Sequence, residues 1–212
     1  MNSSVALQIG PILPWLDLFG IAVFAATGAL AAIRHQQTIV TATFFALITG
    51  VGGGTVRDLL IGAPVFWVHD ATVAALCLGM SAIVWITPQR WWSDRTFAWL
   101  DALGLAAYAA FGAAKALGYG IPPVPAAVMG VVTACVGGII RDVLAGQPSI
   151  LMRPELYVTA AALTASVYVM LSLLGWPPYA AGLVAAAAGF GLRSAAIVWR
   201  LGLPAYRTQH HK

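Results

Sequence analysis

Charged residues are scarce in this 212-residue chain, since only 8% of its residues are Asp, Glu, Lys or Arg. A soluble domain carries about 25%. The shortage comes with a hydrophobic content of 60% and a mean hydropathy of +0.86. These values exclude a water-soluble globular protein and predict a membrane protein that crosses the bilayer several times.

Several other features are missing as well. The chain has two cysteines, and Cys77 and Cys135 each stand alone in an apolar run, so we expect small core residues rather than a disulfide or a metal site. No Gly-x-Ser-x-Gly, His-Glu-x-x-His or phosphate-loop motif occurs, so we predict that the protein is not an enzyme. The net charge of +4 is spread between apolar runs, and such a pattern does not favour nucleic acid as a partner. The first apolar run lacks the flanks of a cleaved signal peptide, and we expect it to be retained.

Seven apolar runs have nearly the length needed to cross about 30 Å of hydrocarbon. Their connections are short and contain turn-forming residues, so we expect one compact bundle without a soluble domain. The predicted fold is an all-α integral membrane protein with seven transmembrane helices in a single domain. The runs are Leu13 to Ile33, Thr38 to Leu60, Ala71 to Ile86, Phe97 to Leu117, Val124 to Ala145, Leu156 to Leu174 and Pro178 to Val198.

The chain repeats itself. When residues 15–64 are aligned without a gap to residues 99–148, 20 of the 50 positions are identical. The first repeat covers about residues 13–87, the second about 97–174, and a seventh helix at about 178–199 stands outside both. Each repeat contains three spans, so the second must start from the opposite side of the membrane. This arrangement is the inverted repeat of many transport proteins.

The orientation is predicted from the basic residues of the connections, which concentrate on the cytoplasmic side of membrane proteins. We therefore expect the N-terminus outside and the C-terminus in the cytoplasm. Leaving aside the arginines of the repeated motif, Lys115 flanks one face, and the other face collects Arg34, Arg90, Arg95, Arg153, Arg200, Arg207 and Lys212.

A glycine cluster and an Arg-Asp pair end the second span and recur at the end of the fifth. Glycine costs roughly 1 kcal/mol against alanine inside a helix, and a charge in a membrane costs a few kcal/mol or more. A chain that accepts both twice, at matched positions, indicates a transport site. Its predicted pore or kink residues are Thr49, Gly52, Gly53, Gly54, Thr133, Gly137 and Gly138. Close helix packing, a kink that frees carbonyl oxygens, and a hinge are the three uses that compete for these glycines.

The ionisable residues of the spans are the second group of candidates. Charges near helix ends can simply reach the interface, pair structurally, or line a pathway. By depth, we expect Asp17 to pair with Arg57 near the outer mouth, and Asp101 with Arg141 near the inner one. Lys115 matches Ala31 in the first repeat and breaks the symmetry; a snorkelling lysine and a pathway charge are its two interpretations, and Arg193 is interpreted similarly. The full set for pathway or gating is Asp17, Arg57, Asp58, Asp101, Lys115, Arg141 and Asp142, whereas His35, His69, His210 and His211 are assigned no role.

The pattern Gly-Gly-Gly-x-x-Arg-Asp in span two, its Gly-Gly-x-x-Arg-Asp partner in span five and the seven predicted helices resemble the prokaryotic TRIC family of trimeric intracellular cation channels. Bacterial members also carry the label of predicted glycine transporters. The resemblance implies a homotrimer in a prokaryotic inner membrane, with one potassium-permeable pore per protomer beside kinked helices two and five. It implies no cofactor, only permeant potassium ions and bound lipid. Val136 stands where the first repeat has Gly52, and the lysine-rich motif of eukaryotic relatives is absent.

Three functions fit these features. The leading hypothesis is a channel for monovalent cations, without the Thr-Val-Gly-Tyr-Gly filter of selective potassium channels. A secondary transporter of a small zwitterion such as glycine is the alternative, because broken helices in inverted repeats are typical of such carriers. A membrane scaffold fits the bundle but gives no reason for the doubled glycine cluster.

Overall fold

The computed structural model describes residues 13–152 and 154–204, and within them it contains seven α-helices and no strand beyond one isolated bridge between Glu155 and Gly202. The observed helices start and end within three residues of the predicted runs. Arg153, Arg207 and Lys212, used for the orientation, and His210 and His211 lie outside the described residues. The helices are α1 Leu13–Arg34, α2 Ile39–Leu60, α3 Ala71–Ile86, α4 Asp94–Gly118, α5 Pro123–Leu144, α6 Val158–Leu173 and α7 Pro178–Trp199.

Local sequence signals explain where the helices begin and end. The side chains of Thr38, Asp70 and Ser93 cap the starts of α2, α3 and α4 by accepting a hydrogen bond from a backbone N–H of the first turn. Proline begins α5 and α7, where its missing N–H costs nothing. Glycines with positive φ follow the ends of four helices, as the left-handed C-terminal turn requires; they are Gly62, Gly120, Gly146 and Gly175.

Two helices are shorter than the others. The helices α3 and α6 have 16 residues each, which at 1.5 Å per residue span about 24 Å, less than the hydrocarbon core. In the described part of the chain, five helices are long and apolar enough to cross a membrane. Each short helix is the third helix of its repeat, so helix length also follows the internal repeat.

The two repeats form two three-helix units. The helix α1 packs on α2 and α3, and α4 packs on α5 and α6 in the same way. The units meet through α1 against α4 and α2 against α5, while α7 packs on α4 and α6. This confirms the predicted all-α bundle of three, three and one helices.

The core is built largely of alanine and glycine, which let membrane helices approach closely. At its centre the matched residues Phe24 and Tyr108 stack on one another, with ring centroids 5.2 Å apart. Cys77 and Cys135 are buried and free, as predicted for small core residues. Many large apolar side chains on the outside of the bundle, such as Phe44 and Leu163, are exposed, as expected for surfaces that face lipid.

Candidate functional site

The helices α2 and α5 cross at the glycine clusters. A Cβ atom placed on Gly53 would collide with the backbone carbonyl oxygen of Thr133, and one placed on Gly137 would lie 2.6 Å from the carbonyl oxygen of Thr49. The contacts run in reverse order along the two helices, so α2 and α5 are antiparallel. Their Arg-Asp pairs therefore lie at opposite ends of the crossing.

The structure supports the packing alternative for these glycines. Both helices continue without interruption through their clusters, and no side chain would fit between the backbones at Gly53 and Gly137. Gly54 packs against the Phe66 ring, and Gly138 lies beside the Tyr157 hydroxyl. A kink or hinge at these positions stays a prediction.

The end of α2 carries a buried charge cluster, here called the Asp58 cluster, made of Arg57, Asp58 and Lys115. Arg57 Nε donates to Asp58 Oδ1 at 2.8 Å. Lys115 Nζ lies 2.9 Å from both carboxylate oxygens of Asp58, and the Phe66 backbone N–H donates to Oδ2 at 3.1 Å. Because Asp58 is fully buried, these donors replace the water that the carboxylate has lost.

Aromatic rings cover the cations of this cluster. The Arg57 guanidinium lies over the Phe111 ring at 5.2 Å and the Phe66 ring at 5.9 Å, and Lys115 Nζ is 5.7 Å from the Phe66 centroid. Such cation–π contacts stabilise desolvated charges by about 2 kcal/mol or more each. Among the described residues, Nη1 of Arg57 has no hydrogen-bond acceptor, so the rings are its main partners.

The end of α5 carries the matching Asp142 cluster, made of Asp101, Arg141 and Asp142. Arg141 Nε donates to Asp142 Oδ1 at 3.0 Å, and the Ile150 backbone N–H donates to Asp142 Oδ2 at 2.9 Å. Arg141 Nη1 also donates to Asp101 Oδ1 at 2.7 Å and to the Thr27 hydroxyl at 3.2 Å. The eight-residue spacing from aspartate to backbone donor is the same as in the Asp58 cluster.

One of the two ion pairs predicted from the sequence is present in the structure. The pair of Asp101 with Arg141 is confirmed. The pair of Asp17 with Arg57 is wrong, because within the described residues Arg57 forms its ion pair with Asp58 and no ion pair to Asp17 is present. In each motif the arginine side chain folds back and donates to the carboxylate of the aspartate that follows it in the chain. The motif aspartate thus neutralises the adjacent arginine.

Snorkelling is also wrong for the charges of the motifs. Arg57 is 0% and Arg141 2% exposed, and Lys115, at 5%, turns inward to Asp58 instead of outward. Arg193 is likewise buried, and its Nη2 donates to Glu155 Oε2 at 2.6 Å. Buried charges of this kind persist only where opposite charges and hydrogen bonds compensate them.

Two cavities adjoin the two clusters. The lysine cavity, of about 470 Å³, is lined by Asp17, Phe66, His69, Asp70 and Lys115 among others. The Thr72 hydroxyl and backbone N–H, both bonded to Asp70 at the start of α3, hold the pKa of that carboxyl below its usual range. Asp17 lines the same cavity as Lys115, although no ion pair joins it to Arg57 in the described structure.

The arginine cavity, of about 540 Å³, adjoins the Asp142 cluster. Three arginines line it, and each has a carboxylate partner: Arg34 with Asp94, Arg193 with Glu155, and Arg141 with both acids of its cluster. His35 lies at its edge, with Nε2 3.5 Å from the Gln147 amide nitrogen. Both cavities thus carry charges of both signs.

The sequence analysis missed four contributors to these sites: Thr27, Phe66, Glu155 and the backbone N–H of Ile150. The spacing of eight residues after each motif aspartate was a usable signal for Phe66 and Ile150, since both follow a glycine and a proline at matched positions. For Thr27 and Glu155 no such signal exists, because their partners are distant in sequence.

The family profile that matches this chain does so in two segments, which correspond to the two repeats. The sequence profile of a family described as "Glycine transporter" matches residues 14–89 and 98–172. The UPF0126 inner membrane protein YadS of Escherichia coli K12 is 37% identical to this chain over 199 residues, which are 91% of this chain and 95% of that protein.

Solved structures are similar over nearly the whole chain. The TRIC trimeric intracellular cation channel orthologue from Rhodobacter sphaeroides is 42% identical, with a TM-score of 0.83 over 90% of this chain and 99% of that one. A prokaryotic TRIC channel crystallised in 0.5 M KCl is 28% identical, with a TM-score of 0.82 over 91% of this chain and 98% of that one.

Proposed function

We propose that this chain, which belongs to the prokaryotic TRIC family, is a potassium-permeable cation channel of the inner membrane, with one pore in each protomer of a homotrimer. The observation that carries the proposal is the 42% identity and TM-score of 0.83 to a TRIC cation channel orthologue. The similar proteins are membrane proteins rather than enzymes, in agreement with the prediction that this chain is not an enzyme.

The proposed pathway runs from one cavity to the other past the crossing of α2 and α5. Two cavities at opposite ends of an antiparallel crossing support it, since an inverted repeat builds its pathway along the interface of its two units. The Thr49 hydroxyl, buried at the crossing, finds no hydrogen-bond partner in the described part of the chain. On this ground we include Thr49 in the proposed pathway, and we propose a channel that works without a cofactor.

The test is a planar bilayer recording of the purified protein with potassium as the permeant cation. Discrete single-channel currents that reverse at the potassium equilibrium potential are expected. Cross-linking or mass measurement in detergent should give three protomers. A bilayer that contains a single trimer should show up to three independent current levels, one for each pore. Silent bilayers with active control channels in the same lipid would contradict the channel.

A carrier for a small zwitterion such as glycine is the second candidate. Two observations favour it: the description of the matching family profile, and the presence of both carboxylates and guanidinium groups in each site. Saturable counterflow of labelled glycine into liposomes, without single-channel currents, would support the carrier over the channel.

The proposed orientation has the N-terminus outside and the C-terminus in the cytoplasm. It rests on the concentration of basic residues on one face of the predicted topology. A reporter that is active only in the cytoplasm should work when fused after Lys212 and fail when fused after Tyr119. The reverse pattern would overturn the orientation.

A further inference from the structure

Asp17 and Asp101 occupy matched positions in the two repeats, but their contacts differ. Asp101 bonds to Arg141 Nη1 at 2.7 Å and has the Tyr157 hydroxyl as a further hydrogen-bond partner. Asp17 forms no ion pair and no hydrogen bond within the residues that the structure describes. The second repeat thus uses its aspartate inside a buried cluster, whereas the first repeat keeps the matching carboxylate unpaired.

The unpaired carboxylate lies on the wall of the lysine cavity. Asp17 lines this cavity and is only part-buried, so water in the cavity reaches it. Lys115 lines the same cavity, but it is buried and its ammonium group lies 2.9 Å from both carboxylate oxygens of Asp58. The charge of the lysine is therefore largely neutralised where it stands, and the charge of Asp17 is not.

The other charges near this wall are covered or balanced. The Asp58 cluster is positive by one, because Arg57 and Lys115 are two cations against a single carboxylate. The two phenylalanine rings that cover Arg57 also line the cavity, so they lie between its guanidinium and the cavity. Asp17 is the fourth charge and makes the group neutral. Without the carboxylate of Asp17, a positive excess of one would remain beside the cavity.

The remaining wall strengthens the effect of this charge. The lysine cavity is lined largely by apolar and aromatic side chains, among them Leu18, Val65 and Val73. A cavity with walls of low dielectric constant focuses the field of a charge inside it and raises the local concentration of ions of the opposite sign. A carboxylate in this place attracts cations and repels anions.

We infer that Asp17 is the specificity-determining residue that makes small cations enter the lysine cavity in preference to anions. Its partner in the second repeat does not have this role, because Asp101 is bonded to Arg141. The inference rests on the proposed function, since the lysine cavity is one end of the proposed pathway.

The test measures entry into the cavity rather than flux. Val65 lines the cavity and is part-buried, so Val65→Cys places a thiol there. Cys77 and Cys135 are buried, and the wild-type protein is the blank for their reaction. Two methanethiosulfonate reagents of similar size are compared at low ionic strength, one with a trimethylammonium group and one with a sulfonate group. The ratio of the two modification rates reports the preference for cations, because a change in the reactivity of the thiol affects both rates alike.

In the Val65→Cys background, Asp17→Asn should lower this ratio about threefold or more, because it removes both the attraction of one reagent and the repulsion of the other. Asp17→Glu keeps the charge and should keep the ratio within about twofold. Asp70→Asn is the matched control, since it removes an exposed carboxylate from the same cavity while asparagine still caps the helix. Water and salt screen an exposed charge, so this control should change the ratio less than Asp17→Asn does. An unchanged ratio in Asp17→Asn, or an equal fall in Asp70→Asn, would overturn the inference.

Asp17→Cys gives a second test that does not depend on the folding of Asp17→Asn. In bilayers with unequal KCl concentrations, this variant should lower the permeability ratio of K⁺ to Cl⁻ about threefold or more. Modification with the sulfonate reagent restores a negative charge and should raise the ratio again, whereas the trimethylammonium reagent should lower it further. Ratios that ignore the charge of the attached group would overturn the role of Asp17. Silent bilayers would reject the channel, while the modification rates at Val65→Cys would still decide which ions enter the cavity.

Discussion

The Asp58 and Asp142 clusters share a motif and differ in charge. Both place an arginine and an aspartate at the end of a helix, and both bind the second aspartate oxygen to a backbone N–H eight residues later. In the first cluster one carboxylate contacts two cations, and in the second one arginine contacts two carboxylates. A duplicated scaffold can therefore keep its geometry while single positions, here 31 and 115, set the electrostatics of each end.

The largest expected effect comes from removing the shared aspartate. Asp58→Asn leaves Arg57 and Lys115 buried without an anion in contact, which should cost about 3–5 kcal/mol. Asp142→Asn leaves Arg141 its bond to Asp101 and should cost about 1–3 kcal/mol. Denaturant unfolding of both variants in one detergent measures the difference, and equal losses would contradict the charge assignment.

The crossing of α2 and α5 brings the two backbones into direct contact, so it should tolerate added side-chain atoms poorly. Gly53→Ala pushes a methyl group into the Thr133 carbonyl and should cost about 1–3 kcal/mol or more. Gly52→Ala is the matched control, since its methyl group would meet the flexible end of the Ile140 side chain at 2.9 Å.

The yield of folded protein and the flux per folded protein separate two roles of Gly53. Loss of folded protein from Gly53→Ala, with normal flux in what remains, is expected from packing. Normal yield with lost flux would indicate instead that the glycine bends or gates the helix. Gly52→Ala should stay within about 1 kcal/mol of wild type, because the second repeat already has valine at the matching position.

The smallest effect is a coupling energy. A double-mutant cycle of Asp101→Asn with Arg141→Gln should show coupling of about 1–3 kcal/mol, because these side chains are bonded at 2.7 Å. The matching cycle of Asp17→Asn with Arg57→Gln should show clearly weaker coupling, because no ion pair joins these two described side chains. Thermal or denaturant unfolding gives both values, and strong coupling in the second cycle would show that Asp17 does reach Arg57.

Much of the architecture could be predicted from the sequence, and particular residues show why. The bounds of α3, Ala71–Ile86, are the same in prediction and structure, because a polar cap and a Thr-Pro step mark its ends. The pairing of Asp101 with Arg141 followed from depth in the membrane alone. The same argument failed for Asp17 and Arg57, since equal depth does not say which way two side chains turn.

Two further contacts show the limit of sequence reasoning. Arg193 pairs with Glu155 across 38 residues, and Arg141 donates to Thr27 across 114. The first contact joins α7, which lies outside both repeats, to the connection before α6, and the second joins α5 to Thr27 of α1, which the second repeat replaces with Phe111. The internal alignment therefore carried no signal for them, and snorkelling remained open for Arg193 until its burial was known.

By itself the sequence determined the seven spans, the inverted repeat and the positions of the paired motifs. The spans follow from the hydropathy of whole helices, and the repeat follows from residue identity over 50 aligned positions. Both signals stay clear when a helix end is misplaced by a few residues. Only the tertiary structure decided that Lys115 turns inward to Asp58, that Asp17 stays apart from Arg57, and that Gly53 meets the Thr133 backbone. Ion pairs and close packing depend on distances of a few ångströms between helices, and these distances are set by how all seven helices pack together.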